Sequence, residues 1–252
     1  MHTRFEPLEK GTLGGYAQVQ RVLDHSVGQI VALKRPTPNV PEAARQLEME
    51  IEVLSRVQHP HLIGLHGHGT DVGGPFAVLA WIEGSTLEST LSHAPLIEDR
   101  VRKLLTQLMA ALQALHQADY AHGDLNSTNV LCSKDDHATL IDLGNAASLS
   151  MPVNRTTGSI YSMAPELFDY QPLSVATDLY ALGVLAYQAL TGQLPFQGET
   201  KPQVITAHHR HLRVPLRECC QASSELETLV EDLIAVKPEQ RTAALRVWNP
   251  AC

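Results

Sequence analysis

The chain has 252 residues, 44% hydrophobic and 18% charged, which suits a folded protein with a sizeable core and excludes a disordered or collagen-like one. Its net charge is −8, from 27 acidic and 19 basic residues, and this argues against nucleic acid and anionic membrane surfaces as partners. Cys132, Cys219, Cys220 and Cys252 lack metal-ligand spacing, Met1–Phe5 lacks a signal-peptide core, and the apolar run Leu179–Leu190 is too short for a bilayer, so a cytoplasmic protein is expected.

In chain order, Tyr16–Leu23 and Gln29–Lys34 are β-rich runs with a hairpin turn over His25–Gly28. Pro41 opens a helix with Glu42 in its first turn, and Leu47, Ile51 and Leu54 line one face; it is expected to end near His59-Pro60. Strands are expected at Leu62–His66 and Phe76–Trp81, separated by a turn at Gly73-Gly74-Pro75. A long helix follows over Ile97–Gln117, with Val101, Leu104, Leu105, Leu108, Leu112 and Leu115 on one stripe. Val130–Cys132 and Ala138–Ile141 form a small hairpin, and from Ser174 the pattern is helical, broken by Gly192, Pro195 and Pro238. A β-rich first part with one helix and a mostly helical second part predict an α+β, two-lobed fold with a cleft. One domain over 1–252 is expected, with lobes 1–79 and 83–252 and a hinge at 80–82.

The chemistry concentrates in His122-Gly123-Asp124-Leu125-Asn126-Ser127-Thr128-Asn129, a loop between the long helix and the hairpin. Phosphoryl transfer to a hydroxyl needs a group that takes or orients the hydroxyl proton, and oxygen ligands for Mg²⁺. Asp124 can serve the first need and Asn129 the second. Asp142-Leu143-Gly144 places another carboxylate at the end of an apolar strand, Lys34 stands on a strand in Val31-Ala32-Leu33-Lys34, and Glu50 lies on the helix of the first part.

From Gly11 to Arg241 the chain resembles a eukaryotic-type serine/threonine protein kinase of the compact kind. The resemblance implies the protein-kinase fold, ATP and Mg²⁺ as cofactors and a serine or threonine hydroxyl on a protein as acceptor. It makes Lys34 the holder of the α- and β-phosphates, Glu50 its ion-pair partner, Asp124 the catalytic base, and Asn129 and Asp142 the metal ligands. Asn126 holds a further catalytic position. The phosphate loop becomes Gly11-Thr12-Leu13-Gly14-Gly15-Tyr16-Ala17-Gln18-Val19, with Tyr16 offering a ring over the phosphates. The adenine pocket falls between Val19 and Ala32 above and Leu131 below. Leu79 stands at its back, and the Ala80 carbonyl and Ile82 N–H read the base. Met163-Ala164-Pro165-Glu166 closes the activation segment, Asp178 supports the catalytic loop, and Arg241 pairs with Glu166. Leu54, Leu65, Leu143 and His122 match the stack joining the lobes.

Departures from the family pattern narrow this expectation. The phosphate loop falls on Thr12, Gly14, Ala17 and Val19, keeping only the middle glycine. Gly123 replaces the arginine that reads a phosphate in the activation segment, so phosphates at Thr156, Thr157 or Ser159 would lack that partner unless Arg155 or another cation substitutes, and activity without activation-segment phosphorylation is expected. Asn126 replaces a lysine, and Ser159 replaces a threonine whose hydroxyl bonds the catalytic loop. A small-molecule phosphotransferase and a nucleotide-binding switch without catalysis stay open as alternatives. The activating signal is not legible, and a regulatory protein partner is one source for it.

Overall fold

The computed structural model describes residues 4–151 and 158–247. The first part is an antiparallel sheet of β1 (Phe5–Pro7), β2 (Thr12–Leu13), β3 (Ala17–Asp24), β4 (Gln29–Pro36), β5 (Leu65–Asp71) and β6 (Gly74–Ala80). Its strand order is β1-β3-β4-β6-β5, with β2 paired to β3. The register sets Val19 opposite Lys34, Arg21 opposite Ala32, and Ala32 opposite Leu79. Side chains alternate faces along a strand. One face therefore carries Val19, Ala32, Lys34, Ala77 and Leu79 toward the rest of the protein, while Val22, Val31, Leu33, Phe76 and Val78 form a second small core behind it.

α1 (Pro41–Arg56) crosses the inner face, with Pro41 in its first turn and Glu42 favourable to the helix dipole. Its buried positions are Ala43, Leu47, Glu50, Val53 and Leu54. Glu50 is thus carried into the interior by the same helical period that buries Leu47 and Leu54. The helix stops short of the expected His59. Pro60 bars helical backbone at His59, and Val57 already turns extended with its side chain buried. The strand expected over Leu62–His66 is split. Leu62 bridges Leu140 in parallel, the Ile63 N–H donates to the Leu140 carbonyl at 3.0 Å, and the sheet resumes only at Leu65.

The second part is helical: α2 (Leu87–Leu91), α3 (Glu98–Gln117), α4 (Pro165–Phe168), α5 (Val175–Thr191), α6 (Lys201–Arg210), α7 (Leu216–Cys219), α8 (Ser224–Leu233) and α9 (Pro238–Val247). Short strands β7 (Ser85–Thr86), β8 (Tyr120–Ala121), β9 (Val130–Cys132), β10 (Ala138–Leu140) and β11 (Ala147–Ser148) frame the loop of interest. α5 is buried nearly all round, as expected of a helix inside a core. A capping box starts it, with the Ser174 hydroxyl accepting the Thr177 N–H and Thr177 Oγ1 accepting the Ser174 N–H. Gly183 lets α8 approach closely, since a Cβ there would stand 2.6 Å from Leu233 Cβ. Among the described residues no helix is long and apolar enough to cross a membrane.

Against α5 lies His208 of α6, fully buried, its Nδ1 2.7 Å from the Tyr180 hydroxyl and its ring 4.5 Å from that of Phe196. Burial lowers its pKa from 6.5 to about 4. The unfolded chain takes up a proton below pH 6.5 that the native state refuses until about 4, so this side chain's contribution is full above 6.5 and is lost as pH falls through that window. His208→Gln keeps an acceptor for Tyr180 but cannot titrate. Urea unfolding is expected to show the difference between wild type and variant moving by about 3 kcal/mol in the variant's favour between neutral pH and the lowered pKa. A pH-independent difference contradicts this account.

Candidate active site

Lys34 and Glu50 meet where β4 and α1 face each other, Lys34 Nζ lying 2.7 Å from Glu50 Oε2 and 3.1 Å from Asp142 Oδ1. Both members of the pair are almost wholly buried, whereas the Asp142 side chain is 44% exposed. Burial works against the Lys34 charge, but the two carboxylates outweigh it and hold the ammonium above its ordinary value. For Asp142 burial pushes the other way, and Lys34 with the Gly144 N–H brings the carboxyl below its usual range. Burial raises the Glu50 carboxyl, with Lys34 countering part of the effect.

The Asp124 carboxylate is held by donors from three segments. Oδ1 accepts the Ser159 N–H at 3.0 Å and Asn126 Nδ2 at 3.1 Å, and Oδ2 accepts Asn145 Nδ2 at 3.1 Å. Burial nevertheless leaves the Asp124 carboxyl above its ordinary value. The expected link from the Ser159 hydroxyl is made by its backbone N–H instead. Asn129 Nδ2 donates to the Asp124 carbonyl at 2.8 Å. Asn126 is turned back on its own loop: besides reaching Asp124, it accepts the Thr128 N–H at 2.9 Å and caps the 3₁₀ turn Ser127–Asn129. Its contact is with the carboxylate.

Below the loop, Asp178 of α5 accepts the His122 N–H at 2.8 Å, the Gly123 N–H at 3.0 Å and His116 Nε2 at 2.8 Å. Those bonds set the backbone at Gly123, where φ is +78°. A Cβ at that position would lie 2.5 Å from the Asn145 carbonyl and 2.7 Å from Leu173 Cδ1, so neither the conformation nor the space suits a larger residue. Glu166 is fixed from α9 by Arg241 through two bonds of 2.7 and 2.9 Å.

The loop expected to hold phosphate is a tight β2–β3 turn, with the Gly14 N–H donating to the Ala17 carbonyl at 2.8 Å and Thr37 Oγ1 to the Gly14 carbonyl at 3.0 Å. Gly11 and Thr12 lie on its incoming arm, and Tyr16 is half exposed. Val19 and Ala32 share the cleft-facing side of the sheet. Leu79 and Ala80 end β6 just before Ile82, and Leu131 on β9 pairs with Thr86 of β7. Leu54, Leu143 and His122 are buried, with Leu65 packed against the same core. Thr156, Thr157 and Arg155 lie outside the described residues.

Sequence reasoning passed over three contributors. Asn145 holds Asp124 and is itself reached by Gln46 Nε2 of α1 at 3.2 Å, linking α1 to Asp124. Thr37 ties down the β2–β3 turn, and His116 is the third donor to the Asp178 carboxylate. Only Asn145 carried a signal, an amide next to Asp142-Leu143-Gly144.

A sequence match to "Protein kinase domain" runs over residues 8–250 and so takes in Lys34, Glu50, Asp124, Asn129 and Asp142. The chain belongs to the protein kinase domain family. It is similar to serine/threonine-protein kinase PknE of Mycobacterium bovis, 32% identical over 217 residues that are 82% of this chain and 38% of the relative. PknD of Mycobacterium tuberculosis is 30% identical over 203 residues, 77% of this chain and 31% of the relative. PknH of Mycobacterium bovis is 29% identical over 204 residues, 77% and 34% respectively. The matched region thus spans under two fifths of each of these kinases.

Proposed function

We propose that this chain transfers the γ-phosphoryl group of MgATP to a serine or threonine hydroxyl of a protein, without needing an arginine-read phosphate in its activation segment. The observation that carries the reading is Lys34, buried and held between Glu50 at 2.7 Å and Asp142 at 3.1 Å on the inner face of the sheet. Lys34 binds the nucleotide phosphates. Asp142 and the Asn129 side-chain oxygen would hold Mg²⁺, which as a hard cation suits one carboxylate, an amide oxygen and substrate phosphates. When bound, Mg²⁺ neutralises charge on the transferring phosphate. Asp124 orients the acceptor hydroxyl and takes its proton, while Asn126, Asn145 and the Ser159 N–H fix the carboxylate's direction. Val19, Ala32, Leu79 and Leu131 enclose adenine, Ala80 and Ile82 bond it, and Gly11, Thr12, Gly14 and Ala17 lie over the phosphates. We treat 1–252 as one cooperative unit hinged at 80–82, and as cytoplasmic.

A protein acceptor is favoured over a small alcohol because Glu166 and Arg241 brace the segment beside Asp124. A cavity of about 160 Å³ lined by Glu88, Asn126, Thr128, Tyr161 and Gln188 opens next to it. The test is labelled MgATP with a mixed protein acceptor and a panel of small alcohols. Phosphoserine or phosphothreonine is expected, with Lys34→Ala losing at least about 10²-fold in rate, as for removal of one electrostatic donor. Transfer confined to small alcohols, or nucleotide binding with no transfer, refutes the proposal.

A further inference from the structure

The turn joining α3 to β8 carries a carboxylate that has no part in the proposed phosphate transfer. Asp119 has φ +73°, a left-handed conformation that aspartate enters more readily than most residues. Its side chain faces the segment that follows Asp142-Leu143-Gly144. Oδ2 accepts the Ser148 hydroxyl at 2.7 Å and the Ser150 N–H at 3.3 Å, and Oδ1 accepts the Ser150 hydroxyl at 2.5 Å. The Asp119 carbonyl takes the Leu149 N–H at 2.8 Å, and Ser148 Oγ in turn accepts the Met151 N–H at 3.1 Å. The two hydroxyls hold the Asp119 carboxyl below its ordinary value, so it is ionised and acts only as an acceptor.

This clamp reaches α1. Ser148 stands opposite Tyr120 in the β8–β11 pair, and the Tyr120 hydroxyl accepts from Arg56 Nη1 at 2.6 Å while donating to Glu52 at 2.9 Å. The start of the segment is therefore secured by a carboxylate that accepts from two free hydroxyls on the turn before β8, and Gly123, just beyond β8, carries no cationic side chain. Ser148 is partly buried, but Ser150 is exposed.

Building on the proposed kinase function, we propose that Ser150 is a modification site at which phosphorylation switches the enzyme off. In that step Ser150 Oγ bonds to the γ-phosphorus of ATP, the bond from that phosphorus to the β–γ bridging oxygen breaks, ADP leaves, and the hydroxyl proton passes to the base of the catalysing copy. The modified residue has lost its donor and carries a charge of about −2 against the Asp119 carboxylate. Repulsion replaces a hydrogen bond, and the β8–β11 pairing opens with it. β8 runs directly into His122-Gly123-Asp124, so the loss is felt at Asp124.

The experiment compares wild type, Ser150→Ala, Ser150→Glu, Asp119→Asn and the Ser150→Glu/Asp119→Asn pair. Turnover is measured on a protein acceptor, and exchange at the Leu149 amide is followed in parallel. Ser150→Glu is expected to lower kcat at least about tenfold in the wild-type background and less than about threefold in the Asp119→Asn background, because the two charges are coupled. It should also speed exchange at Leu149. Ser150→Ala, which removes the hydroxyl without adding charge, is expected to cost under about threefold. Equal losses in both backgrounds, a tenfold loss in Ser150→Ala, or an unchanged or raised rate in Ser150→Glu overturns the proposal. If the wild type transfers no phosphate, it is the kinase reading that fails. The clamp then stands on amide exchange alone, and Leu149 exchange indifferent to Ser150→Glu overturns it.

Discussion

Arg241→Ala is expected to destabilise the protein by about 3–5 kcal/mol, the range for breaking a buried ion pair by removing one partner. The side chain is fully buried, and all five of its N–H donors are used. Nε donates to the Ala235 carbonyl at 2.7 Å, Nη1 to Glu166 at 2.7 Å and the Ala176 carbonyl at 3.0 Å, and Nη2 to Glu166 at 2.9 Å and the Val236 carbonyl at 2.8 Å. Its guanidinium also lies 4.7 Å from the centroid of the Tyr180 ring. Alanine would leave a largely buried carboxylate and three carbonyls without this partner, in a void the size of the lost side chain. Arg241→Lys restores a charge but not the planar fork, so it should recover only part of the loss. The midpoint of urea unfolding measures both. Activity should fall as well, because Glu166 anchors the segment whose Ser159 N–H meets Asp124. A wild-type midpoint for Arg241→Ala refutes this account of what fixes Glu166.

The surroundings of Glu50 show which features are legible from the chain itself. Within α1, local periodicity reveals the face of Leu47 and Leu54, and Glu50 falls on that face three residues from Leu47. What Glu50 meets there is another matter. Lys34 and Asp142 are 108 positions apart, and Gln46 and Asn145 are 99. No hydrophobic pattern encodes such contacts: the Lys34–Glu50 pair was expected only through resemblance to a family, and the bonds from Lys34 to Asp142 and from Gln46 to Asn145 were not expected at all. Local patterns also misplaced the strand at Leu62. Its apolar run is equally suited to the main sheet, but Leu62 and Ile63 find their partners on β10 first. The two-residue strands β7, β8 and β11 are too short for alternation to register. Gly123 illustrates the reverse case. The sequence shows a missing arginine, whereas the structure adds a positive φ and a carbonyl 2.5 Å from where a Cβ would be. The loop from His122 to Asn129 is built around the glycine.

The larger kinetic effect is expected at Asp124. Asp124→Asn should lower kcat by about 10²–10⁴, the range for loss of a general base, with nucleotide affinity little changed. The amide is nearly the same shape as the carboxylate and keeps one oxygen for the Ser159 N–H and Asn126 Nδ2, losing only the acceptor for Asn145 Nδ2, so the loop should retain most of its form. What it cannot do is take a proton. The pH profile separates chemistry from positioning. Burial raises the Asp124 carboxyl above its ordinary value, against the lowering effect of the Ser159 N–H. As pH falls through that raised value the base becomes protonated, so wild-type kcat should decline on the acid side earlier than an ordinary carboxylate would dictate. Residual transfer by Asp124→Asn should lack that limb. Asn145→Ala supplies the complement, since it removes the 3.1 Å donor to Oδ2 and leaves the carboxylate in place. With less stabilisation of the charged form, its acid limb should move to higher pH while the plateau stays well above that of Asp124→Asn. An acid limb unchanged by both substitutions would mean that another group governs proton transfer, and Asp124 would then be only a structural member of its loop.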